Sequence, residues 1–174
     1  KYLNLLALEV KAVDGGEVNP EPDPEPEPEV QEKTIAEILS AEIGEYATTG
    51  IVAGVNAQSF LIKDETGMML VYLGYTFAKD VAVGDEVKVS GTTSVYGKAK
   101  QFGQGAKYEK VSSATVDHGQ AKELTAADAD AYAKLETIAP EYVKVKGILA
   151  VSGNYYNLTI EGATIIGSIS YPLN

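Results

Sequence analysis

Between residues 45 and 116, apolar and polar positions alternate with the period of two that marks half-buried strands. EYATTGIVAGVN (45–56), SFLIK (59–63) and MMLVYL (68–73) predict three successive strands. DETG, between the second and third, reads as a tight hairpin turn with Gly67 in the positive-φ position. TFAKDVAV (76–83) reads as an irregular or short helical crossover, EVKVSGTTSVY (86–96) as a fourth strand and AKYEKVSSATV (106–116) as a fifth. Ahead of them the period changes to that of a helix. Thr34 with Glu37 three residues later forms a capping box, and Ile35, Ile38, Leu39 and Ile43 share one face of a helix about two to three turns long. Five strands, a helix and glycine interruptions predict an all-β domain with short helices over 34–116, a five-stranded, partly open Greek-key barrel.

The first half of this pattern recurs over 117–174. ELTAADADAYAKL (123–135) opens a helix at Thr125 with Asp128 in the reciprocal capping position. YVKVKGILAV sets Gly147 and Ile148 against Gly50 and Ile51 of YATTGIVAGV, and YYNLTIEGATIIGSIS parallels SFLIKDETGMMLVYLG as strand, glycine turn, strand. The second copy holds a helix and three strands, two short of a barrel. Ile165 to Tyr171 would then form an unprotected edge, unless residues 1–13 or a neighbouring chain supply the pairing.

Residues 1–13, KYLNLLALEVKAV, alternate as a single half-buried strand. It reads either as the last strand of a preceding module or as a strand that docks on the barrel edge. It has no basic leader and no small-residue cleavage site, so it does not read as a signal peptide. Residues 14–33 are an acidic linker with Pro at 20, 22, 24, 26 and 28, an extended polyproline spacer without the basic anchors of an SH3 ligand. A chain that starts at Lys1 and stops inside a repeat is expected to be a fragment of a longer protein at both ends.

Charge changes this picture little once it is located. The formal net charge is −11, but residues 14–32 carry eight acids and no base, leaving about −3 for the rest. All fourteen basic residues are lysine, and the guanidinium fork that best reads phosphates and guanine edges is missing. Cysteine is absent too, which excludes disulfides, thiolate metal sites and cysteine nucleophiles. No apolar run approaches the roughly 20 residues that span a bilayer as a helix.

The motif F-x-I-x-D-x-x-G from Phe60 to Gly67, followed by V-G-D-x-V-x-V-x-G from Val83 to Gly91, resembles the oligonucleotide/oligosaccharide-binding (OB) modules of secreted bacterial nucleases and of surface lipoproteins of Bacteroides-type bacteria. The likeness covers about 34–116, with a partial OB-like echo over 123–174. It implies an OB barrel whose ligands lie across strands 2 and 3, flanked by the loops between strands 1 and 2 and strands 4 and 5. It also implies export to the periplasm or cell surface, with a lipid anchor in the full-length protein that the acidic stalk would suit.

Alternation puts Phe60, Ile62, Met69, Val71 and Leu73 inside such a barrel and Leu61, Lys63, Met68, Leu70 and Tyr72 outside. The outer set reads either as a ligand face, with Tyr72 offering a ring for stacking, or as a surface covered by the second repeat or a neighbouring module. The segment 96–110 interleaves Lys98, Lys100, Lys107 and Lys110 with Tyr96, Phe102 and Tyr108, and Gly97, Gly103 and Gly105 would make it mobile. It reads as a single-strand nucleic-acid contact or as a solvated hairpin. Tyr155 and Tyr156, like Tyr72 and Tyr75, offer rings of the kind sugar sites use, although alternation would send half of them to the core.

The candidate ligand residues are thus Leu61, Lys63, Tyr72, Tyr96, Lys98, Lys100, Phe102, Lys107 and Tyr108. Asp64, Glu65, Asp80, Asp85 and Glu86 match no cation loop and read as turn residues. His118 stands alone beside Asp117, without the partners of a metal site or a nucleophile dyad. The expectation is a non-enzymatic binding or spacer module, needing no metal or cofactor, that recognises a protein or glycan. The alternative is single-stranded nucleic-acid binding as an accessory domain of a nuclease.

Overall fold

The first helix starts where the capping box places it, in a computed structural model that describes residues 30–153 and 155–173. The expected strand at 1–13 and nearly all of the expected stalk lie outside the described residues. Thr34 Oγ1 accepts from the Glu37 N–H, and the Glu37 carboxylate accepts from the Thr34 N–H at 2.8 Å. The helix α1, Ile35–Ser40, is shorter than the apolar period suggests. Ala41 turns to extended backbone, and Ile43, placed on the helical face by its spacing, is exposed.

Five strands then close a barrel. β1 (Glu45–Val55), β2 (Ser59–Lys63) and β3 (Met68–Tyr72) form an antiparallel meander. After a 3-10 turn at Gly74–Thr76 come β4 (Asp85–Tyr96), β5 (Ala99–Phe102) and β6 (Lys107–Ser113). The first half of β1 pairs with β4 and its second half with β2, which bends β1 across the barrel. Closure comes from β5, parallel to β3 at Leu70↔Gln101 and Val71↔Phe102 and antiparallel to β4. β6 carries on along β4, in register Ser90↔Lys107 to Asp85↔Ser113.

β5 corrects the sequence reading. Residues 99–102 were placed in a mobile hairpin, yet they are the strand that seals the cylinder. The reversal at Gly97 and Lys98 is tight, with φ of 55° and 73°, the double positive φ that suits strand twist in a two-residue hairpin. The barrel interior holds Phe60, Ile62, Met69, Val71 and Leu73, as alternation assigns them, together with Val52, Val87, Val89 and Phe102. α1 plugs one end with Ile35 and Ile38.

Of the two motif glycines, Gly84 is required by its backbone and Gly67 is not. Gly67 does not take a positive φ. It lies under α1, where a β-carbon would stand 3.4 Å from Ile35 and 3.9 Å from Leu39, while Asp64 makes the turn by accepting from the Thr66 and Gly67 N–H groups. Gly84, in V-G-D, has φ 96°, and a β-carbon there would lie 2.7 Å from the Ala114 carbonyl. Only glycine fits this crossing, where the Gly84 N–H donates to Val52 O at 2.9 Å.

The second unit begins with β7 (Lys122–Glu123), paired in parallel with β8 (Val143–Lys144) around α2 (Ala126–Lys134). Thr125 and Asp128 form the expected capping box. β9 (Ile148–Ser152), β10 (Tyr155–Thr159) and β11 (Ile166–Ile169) make a three-stranded meander. Its outer strands have no further partner among the described residues, and Ile148, Val151, Ile166 and Ile169 are exposed. Among the described residues, main-chain links join the units at two places: Ala57 N–H to Tyr171 O at 2.9 Å, and a parallel bridge between Ala99 and Ile138 that includes Ile138 N–H to Lys98 O at 3.1 Å.

Candidate functional site

Three of the four lysines of the basic patch read from the sequence are engaged within the fold. Lys100 Nζ donates to Ile38 O at 3.1 Å and Leu39 O at 2.9 Å, and also to Ala41 O, closing the carbonyl end of α1. Lys98 Nζ does the same for α2, donating to Ala133 O at 3.2 Å and Leu135 O at 2.7 Å. A cation at the carbonyl end of a helix satisfies orphan acceptors and opposes the negative end of the peptide dipoles. Lys110 pairs with the buried Asp85 carboxylate at 2.7 Å, and Lys107 is exposed at the start of β6.

Replacing Lys100 with Met, which keeps the stem and removes the charge, is therefore expected to cost about 1–2 kcal/mol of stability. Urea denaturation followed by circular dichroism measures it. A variant as stable as the wild type would return Lys100 to the pool of ligand contacts.

The aromatic half of the patch is divided. Phe102 has no exposed surface and belongs to the core, so it offers no ring to a ligand. Tyr108 packs edge-on against Phe60, ring centroids 5.2 Å apart, and its hydroxyl donates to Asp80. Burial, and then that carboxylate, push the Tyr108 hydroxyl up to about 12, so it stays a protonated donor through the physiological range. Tyr96 alone of the three stands in solvent, 78% exposed. The segment does not gather into one surface, because β5 threads its middle through the barrel wall.

On the outer face of β2 and β3, Leu61 lies opposite Leu70, Lys63 opposite Met68 and Tyr72 opposite Ser59. All five outward residues named from alternation are half-buried, a state between the free and the covered face. Lys63 Nζ donates to the Asp117 carbonyl, which draws the inter-unit connection over its end of the face. At the other end the Tyr72 hydroxyl reaches Gln58 Oε1 at 3.4 Å. His118 stacks on Tyr142, centroids 4.8 Å apart, and no group of three or more metal-ligating side chains occurs among the described residues.

The tyrosines outside the named set do converge. Tyr75 from the turn after β3 meets Tyr155 and Tyr156 of β10 and Tyr171 beyond β11 around one cleft between the units. Three of these, Tyr75, Tyr155 and Tyr156, are among the rings that the sequence offers as of the sugar-binding type. Tyr171 is not among them, and the signal was available in Ser168-Ile169-Ser170-Tyr171, where alternation puts two hydroxyls on one side of a strand ending in an aromatic.

Among the described residues no helix is long and apolar enough to cross a membrane. No protein-family model matches the sequence, and comparison with curated proteins yields no match.

Proposed function

We propose that this chain is a non-catalytic binding or spacer module of tandem OB type, one complete Greek-key barrel and one partial copy, that recognises a protein or glycan partner. In this reading it stands on an acidic Pro-rich stalk in an exported cell-surface protein anchored by lipid. The strand circuit β1-β2-β3-β5-β4-β1, with its parallel β3–β5 closure, is compatible with the OB type. Two correspondences favour the repeat. A side chain at Gly50 would press on the Lys63 carbonyl at the end of β2, and one at Gly147 on the Thr159 carbonyl at the end of β10. In each unit a carboxylate also ties the helix to the following hairpin turn. Asp64 of the first turn accepts from the Ile35 N–H at 2.8 Å, and Asp130 of α2 accepts from the Thr164 N–H at 2.8 Å.

The observation that carries the choice of partner is the use of the lysines. Lys63, Lys98 and Lys100 all donate to main-chain carbonyls, so the flank on which OB modules take nucleic acid has most of its cations occupied. Each keeps its charge but turns its donors inward, so fewer ammonium groups are free to close on phosphates and release their counterions, the main source of nucleic-acid affinity. Fluorescence anisotropy with labelled mixed-sequence single-stranded DNA and RNA tests this. No binding is expected, even at about 50 mM salt where such binding is strongest. Binding that declines log-linearly with salt and disappears in Lys98→Ala with Lys107→Ala would replace the proposal with the nucleic-acid reading.

A further inference from the structure

We infer that the cleft between the two units, ringed by Tyr75, Tyr155, Tyr156 and Tyr171, is a binding site for an uncharged polysaccharide. The inference rests on the binding-module reading and moves the site from the barrel face to the junction. The cleft encloses about 520 Å³, inside the range of roughly 300–1,000 Å³ that small-ligand sites occupy.

Its rings are exposed and stand on held main chain. Tyr75 is 89% exposed, Tyr155 73% and Tyr171 52%. A lone exposed aromatic needs no explanation, but several around one concavity form the kind of surface that binds. Tyr75 rides on a fixed turn: the Leu73 and Gly74 N–H groups both donate to Gln58 O, at 3.0 and 2.9 Å, and the neighbouring Phe77 is buried against Phe60. Tyr171 has φ 48°, unusual for a side chain of its size, and its carbonyl is held by the Ala57 N–H. Tyr156 is fixed opposite Ile169 in the β10–β11 ladder. The main chain that carries Tyr75, Tyr156 and Tyr171 is thus in place before any ligand arrives, so binding has only the ring rotamers left to order.

The chemistry of the lining selects the ligand. Among the described residues no charged side chain lines the cleft, whose polar groups are tyrosine hydroxyls, the Ser168 and Ser170 hydroxyls and main chain. Rings that take the C–H faces of pyranoses, beside neutral donors and acceptors that match their hydroxyls, suit a neutral glycan. A phosphodiester or a polyuronate would find no counter-charge here.

Affinity electrophoresis of the whole chain in native gels containing hydroxyethylcellulose, galactomannan or xylan, with polygalacturonate as the anionic control, tests the inference. At least one neutral polymer should retard the protein, and polygalacturonate should not. The retarding affinity should fall roughly tenfold for Tyr75→Ala and again for Tyr155→Ala, the scale of one aromatic stacking contact. It should also be equal at about 50 and about 500 mM salt, since no ion pair contributes. Both rings are exposed, so the variants should fold, and unchanged thermal unfolding verifies that. Failure of all three neutral polymers, or retardation that survives the double substitution, overturns the cleft site. Retardation that persists there but is lost in Leu61→Ser with Tyr72→Ala would leave the module reading intact on the barrel face. Failure of the module reading itself would appear separately, as oligonucleotide binding.

Discussion

Phe102→Ala is expected to remove about 3–5 kcal/mol of stability, the usual cost of truncating a fully buried phenylalanine. Phe102 has no exposed surface, sits in the barrel core and is, with Gln101, one of the two residues through which β5 pairs with both β3 and β4, here at Val71 and Thr93. Its loss opens a cavity at the seam where the cylinder closes. Since whole domains are stable by only about 5–15 kcal/mol, a large share of the margin goes with one ring. Urea unfolding followed by far-ultraviolet circular dichroism measures this, and tyrosine emission serves as a second probe because the chain has eleven tyrosines and no tryptophan. A loss below about 1 kcal/mol, within reach of an ordinary surface substitution, would contradict the buried placement.

Asp64→Ala is expected to cost about 2–3 kcal/mol at neutral pH, combining a helix cap with a turn brace. One carboxylate oxygen accepts from the Ile35 N–H at 2.8 Å. The other accepts from the Thr66 N–H and hydroxyl, both at 2.7 Å, and from the Gly67 N–H at 2.9 Å. Partial burial pushes the Asp64 carboxyl upward, but the donors from Ile35, Thr66 and Gly67 together outweigh it and hold the group below the ordinary aspartate range. A carboxyl depressed in the folded state binds protons more readily when unfolded. Its contribution is therefore complete above the unfolded value and is lost as pH falls through the folded one, here below about pH 4. The stability gap between wild type and Asp64→Ala should be constant from about pH 7 to 5 and should narrow below about 4. Chemical denaturation across that series checks it, and a gap that stays constant to about pH 2 would mean that the carboxylate charge does not matter.

Much of the architecture was legible because it rests on local rules. The period-two runs at 59–63 and 68–73 give strands whose inward residues are those alternation selects. Both helix starts follow from a hydroxyl and an acid three residues apart. The errors have physical causes. β5 has four residues, Ala-Lys-Gln-Phe, too few and too polar to stand out between glycines, and it is a strand because β3 and β4 offer it a slot. That Lys98, exposed as expected, and Lys100 are engaged was not legible, because the carbonyls they cap lie about 35 and 60 residues away in sequence, beyond the reach of any local pattern. Gly67 was expected at positive φ and does not have it, because the Asp64 carboxylate, not a left-handed residue, makes the turn. The tyrosine cleft was half legible. The rings were visible, but only the tertiary structure brings position 75 to positions 155, 156 and 171.

The measurement that tests the central claim most directly is amide chemical-shift mapping by NMR of the whole chain, titrated with neutral oligosaccharides cut from a polymer that retards it. The account predicts saturable shifts at Ala57, Tyr75, Tyr156, Ser168 and Ser170, with Lys98, Lys100 and Lys107 unmoved. Shifts concentrated instead on the β4–β5 turn and the Lys107 end of β6, with the cleft silent, would contradict it.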